Sequence, residues 1–392
     1  MRSHAASLTA GVLTMLSMGI LYLWGVFLLG LEQELSLSRS TLSLVSSAAL
    51  VTCTCGFLVY DRLLRTLPLQ LYLAITFALA AGGHLLFGLL PGYATLLVGY
   101  GGMFGLAVGL GYGLALALAS RVGDASRGIA ISIVVSAFAM SGAALAAAAP
   151  WLFSGASTSN AFTRLGAALV LVWALAAVLL RGAPAFPAAQ RGEAFPVDLV
   201  VRSPLFLQLG LVFFALNYCG LMLVAHGTGL FTAYGAAPGT AALSPVVLNL
   251  SYIIGSLLGG RAGEALSPRV LLVSVQTAVA GGVLLLMVVG PSSILALDVG
   301  VAILGASFGA AAAFMPVLIG RLWGASQING LYGVMLLAYG GAGIVAPWAS
   351  ALLFGAFGGY APALALALAI TLAGLLSAAR IGAFSRTPVP GG

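Results

Sequence analysis

Twelve long apolar runs constrain this chain more than any other feature of its sequence. Each run has about 18 or more residues and almost no charge, which is the length that a helix needs to cross a lipid bilayer. The runs are continuous and do not alternate between polar and apolar residues, so they favour helices over a membrane β-barrel. The predicted helices cover residues 8–30, 40–60, 69–90, 95–119, 129–152, 162–180, 205–226, 244–262, 270–290, 297–319, 330–355 and 360–379.

The least apolar stretch of the chain lies between the sixth and seventh runs, at residues 181–203. We therefore predict an all-α membrane protein with a six-helix bundle at 1–180, a connector at 181–203 and a second six-helix bundle at 204–392. Matching patterns at an offset near 200 residues indicate that the two bundles are pseudo-symmetric copies. These patterns are Gly105, Gly109 and Arg121 against Gly305, Gly309 and Arg321, and Ala149-Pro150-Trp151 against Ala346-Pro347-Trp348.

Composition excludes several other classes of protein. Apolar residues make up 61% of the chain and charged residues 6%, whereas a soluble domain carries about a quarter charged residues. The net charge of +7 comes from arginines that are spread over many helix ends, which argues against a nucleic-acid partner. Cys53, Cys55 and Cys219 lie inside apolar runs, so we expect neither a disulfide framework nor a metal site. No hydrolase, nucleotide-binding or dinucleotide-binding motif occurs in a fitting context, so we expect no enzyme and no cofactor.

The arginines also predict the orientation of the chain. Cytoplasmic loops of membrane proteins hold most basic residues. With the N-terminus inside, thirteen arginines fall on the inner side and only Arg39 and Arg164 on the outer side. We therefore predict a multi-pass protein of the inner (cytoplasmic) membrane, with both termini and the connector in the cytoplasm and the first run kept as a spanning helix.

The segment after the second run carries a charged motif, Asp61-Arg62-x-x-Arg65. It resembles the signature loop of the major facilitator superfamily, although Phe57 and Leu64 replace two glycines of that signature. A weaker second copy begins at Gly260 and contains Arg261 and Glu264, with Arg269 after it. The resemblance implies a latch in which each acid meets a helix N-terminus and nearby arginines and holds one state of the transport cycle closed. The predicted latch residues are Asp61, Arg62, Arg65, Arg121, Glu264, Arg269 and Arg321.

A narrower resemblance is spread over nearly the whole chain. The residues that carry it are Tyr22-Leu-Trp24-Gly25, Gly111-Tyr112-Gly113, Arg127-Gly128, Arg202-Ser-Pro204, His226, Tyr332-Gly333 and Pro347. Together they are similar to the monocarboxylate and oxalate–formate branch of the superfamily. The resemblance implies secondary transport by alternating access, with a substrate site between the two bundles near the middle of the membrane.

Two positions depart from that branch. Its carboxylate carriers have an arginine in helix 8 and its oxalate–formate members add a lysine in helix 11, and the corresponding residues here are Ser256 and Tyr339. Both positions are expected to face the central cavity. A dianion without a fixed counter-charge would lose several kcal/mol on leaving water, so oxalate is disfavoured.

The remaining candidates for substrate binding are polar and mostly neutral, which favours a small polar or weakly acidic substrate. They are Tyr22, Tyr112, Asn217, Tyr218, His226, Asn249, Tyr252, Ser256 and Tyr339. His226 is either a group that changes charge near neutral pH or an interfacial side chain, near a helix break at Gly227 and Gly229. His84 is interpreted as structural, and Asp298 as an acid at the start of helix 10.

The sequence therefore predicts a monomeric secondary active transporter that moves a small monocarboxylate or small polar metabolite, alone or with a proton. Two alternatives stay open. One is an exporter of drugs or other lipophilic compounds, and the other is a membrane sensor that does not transport.

Overall fold

The computed structural model describes residues 2–37, 39–121, 127–147, 157–184, 186, 197–241 and 243–382. Within these residues no strand occurs, and twelve helices are long and apolar enough to cross a membrane. The predicted all-α membrane fold is confirmed. Ala149-Pro150-Trp151, Arg386 and residues 185 and 187–196 of the predicted connector lie outside the described residues.

We number the long helices α1 to α12. Ten are α2 Arg39–Thr66, α3 Leu69–Leu89, α5 Arg127–Ala147, α6 Thr158–Leu179, α7 Pro204–Ala233, α8 Ser244–Ala265, α9 Pro268–Val288, α10 Ile294–Trp323, α11 Ile328–Phe357 and α12 Ala361–Arg380. Two are composite. The first, α1, comprises Arg2–Met18, a 3₁₀ turn Gly19–Leu23 and Trp24–Leu35, and α4 comprises Tyr93–Leu96, a π-helical segment Leu97–Phe104 and Gly105–Ala119.

Several predicted helix ends differ from the structure, and three of the differences affect the candidate site residues. Helix α2 continues to Thr66, so the motif of Asp61 and Arg65 lies on its last turns and not in a loop. Helix α7 runs through Gly227 and Gly229 without a break. A hydrocarbon environment offers no water to compete for the backbone groups, so glycine does not interrupt a helix there.

Helix α10 begins earlier than predicted. It starts at Ile294, where the hydroxyl of Ser293 accepts a hydrogen bond from the amide of Ala296 at 3.3 Å. Ser293 is therefore the N-cap, and Asp298 lies in the second turn rather than at the start.

Helix pairs in the two bundles correspond to one another. In the first bundle α2 packs on α4, α3 on α6, and α1 on α4, α5 and α6. In the second, α8 packs on α10, α9 on α12, and α7 on α10, α11 and α12. Adding six to each helix number of the first bundle gives the pairs of the second, which is the predicted pseudo-symmetry.

Two seams join the bundles. At the first seam, α5 packs on α8, and at the second, α2 packs on α11. The α2–α11 seam is closed by glycines of α11, because Gly333 lies against the backbone of Phe57 and Gly340 lies against the side chain of Thr54. The cavity described below lies between these seams.

The paired glycine motifs lie at equivalent close contacts. Gly109 of α4 lies against the backbone of Cys53 in α2, and Gly309 of α10 lies against the backbone of Tyr252 in α8. Small residues at such places allow two helix backbones to approach closely.

We expect Gly309→Ala to destabilise the protein by about 1–3 kcal/mol, because the new methyl group would overlap the backbone of Tyr252. The measurement is thermal unfolding of the purified protein in detergent. The matched control is Gly281→Ala in α9, where an added methyl group meets no atom within 4 Å. Equal melting temperatures for the two variants would contradict the close contact.

Candidate functional site

A small cavity of about 20 Å³ lies between the two bundles and has room for about one water molecule. Four helices of each bundle line it: α1, α2, α4 and α5 from the first, and α7, α8, α10 and α11 from the second. These sets are related by the same offset of six helices. The lining residues are Tyr22, Cys53, Phe57, Val108, Tyr112, Phe138, Phe213, Asn217, Tyr252, Phe308, Ala312, Tyr332, Leu336 and Tyr339.

Aromatic rings from both bundles meet inside the cavity. The hydroxyls of Tyr22 in α1 and Tyr339 in α11 are hydrogen-bonded to each other at 3.3 Å. The ring of Phe308 is stacked at 6.1 Å from Tyr22 and at 6.5 Å from Tyr339. Tyr252 contacts Phe308 edge to face at 5.0 Å. The cavity therefore offers ring faces, ring edges and hydroxyl groups to a ligand.

Asn217 is the amide side chain of the cavity lining. It is fully buried, and its Nδ2 donates to the backbone oxygen of Phe213 at 2.5 Å. Its Oδ1 has no hydrogen-bond partner within the described part of the chain. Burying a polar atom without a partner costs about 1–3 kcal/mol, so an orphaned atom in a cavity needs an explanation.

The cavity lining carries no charged side chain among the residues that the structure describes. Its polar groups are tyrosine hydroxyls, the Asn217 amide and the Cys53 thiol. The lining can therefore form hydrogen bonds and aromatic contacts, but it offers no fixed counter-charge to an ion.

The structure divides the predicted binding residues into two groups. Tyr22, Tyr112, Asn217, Tyr252 and Tyr339 come together around the cavity. Tyr218, His226, Asn249 and Ser256 are not part of its lining.

Ser256 lies at the seam between the bundles and not in the cavity. Its hydroxyl is 2.5 Å from that of Ser136 in α5, and it also donates to the backbone oxygen of Ile253 at 2.9 Å. Asn249 belongs to the same seam, where it lies beside Gly142 of α5 and donates to the backbone of Pro245. Both side chains lie on the face of α8 that packs against α5, so the expectation that Ser256 faces the cavity was wrong.

His226 and Tyr218 lie within the second bundle. Nε2 of His226 is 2.9 Å from the backbone oxygen of Pro347 in α11, and the Tyr360 hydroxyl is 3.4 Å from Nδ1. The imidazole therefore connects α7 to α11 and to the residue just before α12. Tyr218 is fully buried, with its ring against Phe214.

His84 packs as a structural residue in the first bundle. Its Nδ1 is 2.8 Å from the backbone oxygen of Ala80, and its ring is 4.5 Å from that of Phe104.

The sequence interpretation missed several lining residues, of which Tyr332 is the most informative. Tyr332 is fully buried on α11 and precedes Tyr339 by seven residues. A spacing of seven corresponds to about two helical turns, so both rings share one face. This spacing was the sequence signal that could have identified Tyr332. Phe308 has no comparable signal, because α10 is apolar on every side.

One acid of the predicted latch connects the two bundles. The carboxylate of Glu264, at the end of α8, accepts a hydrogen bond from the backbone amide of Gly128 at 2.9 Å. Gly128 is the second residue of α5, so the acid lies at a helix N-terminus, as the resemblance implied. Glu264 also lines a space of about 150 Å³, which Arg127 and Arg321 line as well.

Two arginines near this end bond elsewhere: Arg321 within the second bundle and Arg121 to the connector. Arg321 donates to the backbone oxygens of Gly263 and Leu266 at the end of α8, the second at 2.9 Å. Arg121 donates to the backbone of Pro184 at 2.8 Å and lies 3.7 Å over the ring of Phe186. Partial burial lowers the pKa of Arg121, but a guanidinium stays protonated at neutral pH.

Asp61 is placed differently from Glu264. Its carboxylate forms an ion pair with Nε of Arg65 at 2.9 Å, one turn further along α2. Arg62 and Arg269 are exposed side chains. Asp61 thus forms an ion pair with an arginine of its own helix, whereas Glu264 bonds to a helix of the other bundle.

The whole chain is similar to a solved structure described as the major facilitator superfamily proton:xylose symporter XylE bound to 6-bromo-6-deoxy-D-glucose. The TM-score is 0.76 at 15% sequence identity, and the match covers 95% of this chain and 94% of that one. The chain has the fold of a major facilitator superfamily transporter. No family model and no curated protein matches the sequence.

In this fold the α5–α8 and α2–α11 seams occupy equivalent positions, and they differ in the side chains that form them. The monocarboxylate and oxalate–formate branch stays a prediction, because at this identity the likeness extends to the fold alone.

We expect Glu264→Gln to loosen the α5–α8 seam more than Asp61→Asn does, since only Glu264 bonds across it. An acid at an exposed helix N-terminus contributes about 0.3–1 kcal/mol, which corresponds to roughly a two- to fivefold change in an equilibrium. The measurement is the labelling rate of Val317→Cys, beside Glu264, in a variant whose native cysteines are replaced by serine. Equal labelling rates in the two acid variants would contradict the bridging role.

Proposed function

We propose that this protein is a secondary transporter that carries a small polar metabolite across the cytoplasmic membrane by alternating access. The observation that carries the proposal is a cavity that four equivalent helices of each bundle line. A solute held there contacts both bundles at once, so rocking of one bundle against the other exposes it to one side and then to the other.

The fold likeness supports the same class of activity. The similar structure is described as a proton:xylose symporter with a bound sugar analogue, which is a small polar solute. Solute transport by this chain, alone or together with a proton, is our inference from that fold and from the cavity.

The cavity lining narrows the substrate. In the structure the cavity is nearly closed, with a volume of about 20 Å³, so a solute can enter only when the two bundles move apart around it. We assign direct contacts to Tyr22, Tyr112, Asn217, Tyr252 and Tyr339. A small monocarboxylate is one candidate, but Tyr339 and Ser256 stand where the resembling carriers have a lysine and an arginine.

The arginine distribution supports an orientation with both termini and the connector in the cytoplasm. We propose that the units 1–180 and 204–392 act as the two rocking bodies of a monomer, joined by the connector 181–203. The bond from Glu264 to Gly128 then lies on the cytoplasmic side, where it holds the bundles together.

A second candidate function is export of lipophilic cations. The observation that favours it is the aromatic lining, because ring faces attract cations. A non-transporting sensor would bind the same ligands without moving them, so a flux measurement separates it from both transporters.

The test begins with a thermal-shift screen of the purified protein against polyols, sugars, amino acids, monocarboxylates and large organic cations. Stabilising solutes are then followed as radiolabelled tracers into proteoliposomes. We expect small polar solutes to stabilise the protein and to enter. Stabilisation by lipophilic cations alone would favour the exporter, and stabilisation without flux would favour the sensor.

We expect the double variant Tyr22→Phe, Tyr339→Phe to weaken binding of the stabilising solute by about tenfold or more. It removes two hydroxyls from the cavity and keeps both rings, and one neutral hydrogen bond contributes about 0.5–1.5 kcal/mol. The control is Tyr234→Phe, which removes a hydroxyl at the end of α7, outside the cavity. Equal loss of affinity in the control would contradict the assignment of the cavity.

A further inference from the structure

The unpartnered oxygen of Asn217 and the uncharged side chains of the lining together indicate which kind of molecule the cavity binds. We infer that the substrate is uncharged while it is bound and that it donates a hydrogen bond to Oδ1 of Asn217. The inference rests on the proposed transport function and adds the chemical class of the substrate.

The orientation of the Asn217 amide follows from its neighbour. Nδ2 lies 2.5 Å from the backbone oxygen of Phe213, a contact that requires a donor. Turning the amide over would place two oxygens against each other, so the nitrogen stays there and the oxygen remains free. Oδ1 is thus a hydrogen-bond acceptor on a residue that lines the cavity, and the bond from Nδ2 to the backbone of Phe213 fixes its orientation.

An unpartnered amide oxygen does not by itself mark a site, and the chain provides the comparison. Gln276 of α9 is also fully buried, with Nε2 bonded to the backbone of Val212 at 3.2 Å and with Oε1 without a partner in the described residues. Gln276 packs inside the second bundle against Gly374 and is not part of the lining of the cavity between the bundles. Of these two amides, only Asn217 lines that cavity.

The charge of the substrate follows from the other side chains that line the cavity. The titratable groups that line the cavity are hydroxyls and one thiol, and no described lining residue is cationic. They are Tyr22 on α1, Cys53 on α2, Tyr112 on α4, Tyr252 on α8, and Tyr332 and Tyr339 on α11, while α5 and α10 contribute only Phe138, Phe308 and Ala312. An anion would place its lone pairs against those of Oδ1 and would have no counter-charge, which costs several kcal/mol.

A hydroxyl, an amide N–H or a protonated carboxyl fits this position. Each donates a hydrogen to Oδ1 and leaves other polar groups for the tyrosine hydroxyls. A carboxylic acid can therefore occupy the cavity only as RCOOH, after the carboxylate has taken a proton from solution.

The first test compares matched neutral and anionic molecules on the unmodified protein. The pairs are glycolamide and glycolate, lactamide and lactate, and glucitol and gluconate, with binding measured by calorimetry in detergent at pH 7.5. We expect the neutral member of each binding pair to bind at least tenfold more tightly. A tighter anion would overturn the inference and leave the transport function intact.

A pH series on the acids uses the same protein. We expect the apparent affinity for lactate or glycolate to rise about tenfold for each unit between pH 7.5 and 5.5, because the fraction of RCOOH rises by that factor. An acid that binds equally at both pH values would overturn the inference. If neither binding nor flux occurs for any of the six molecules, the proposed function fails, and the inference fails with it.

The second test removes the oxygen. Asn217→Leu keeps the approximate volume and replaces the orphaned acceptor by methyl groups, so we expect a folded protein with at least a tenfold loss of affinity for the neutral ligands. Gln276→Met makes the matched change away from the cavity and should leave affinity unchanged. Equal affinities in Asn217→Leu and the unmodified protein would overturn the role of Oδ1. The ligand pairs decide the charge question whether or not this variant folds.

Discussion

The structure depends first on the absence of water along most of its length. In hydrocarbon, each backbone amide and carbonyl must find its partner within the chain, and a helix provides that partner four residues away. This requirement keeps α7 helical through two glycines, and α1 and α4 stay helical where their pattern changes to 3₁₀ or π. It also makes any unpaired buried polar group informative, since solvent cannot satisfy it.

That requirement explains which features could be predicted from the sequence. Long apolar runs predict the number and approximate positions of helices, because few other structures bury so much apolar surface in lipid. The ends were harder to place. Helix α2 extends beyond its apolar run because Asp61 and Arg65, four residues apart, pair along the helix and continue it past the last apolar residues.

The residues that line the cavity could also be predicted only in part. Depth in the membrane was predicted from position along a helix, and Tyr112, Asn217 and Tyr339, which were predicted at similar depth, line one cavity. The face of a helix cannot be read from the sequence when all its sides are apolar, as on α10, or when polar residues lie on more than one side, as on α8. Ser256 and Tyr252 illustrate this, because they lie one turn apart, yet one contacts α5 and the other lines the cavity. Only the packing of eight helices resolves that difference.

The two seams between the bundles are equivalent by symmetry but differ in the contacts that cross them. Across α5 and α8 run the bonds from Gly128 to Glu264 and between Ser136 and Ser256. A hydrogen bond depends on angle as well as on distance, so sliding one helix along the other breaks it. At the other seam, Gly333 and Gly340 of α11 pack against α2, and the dispersion contacts there have no preferred direction. These contacts predict that α11 slides along α2 more readily than α8 slides along α5.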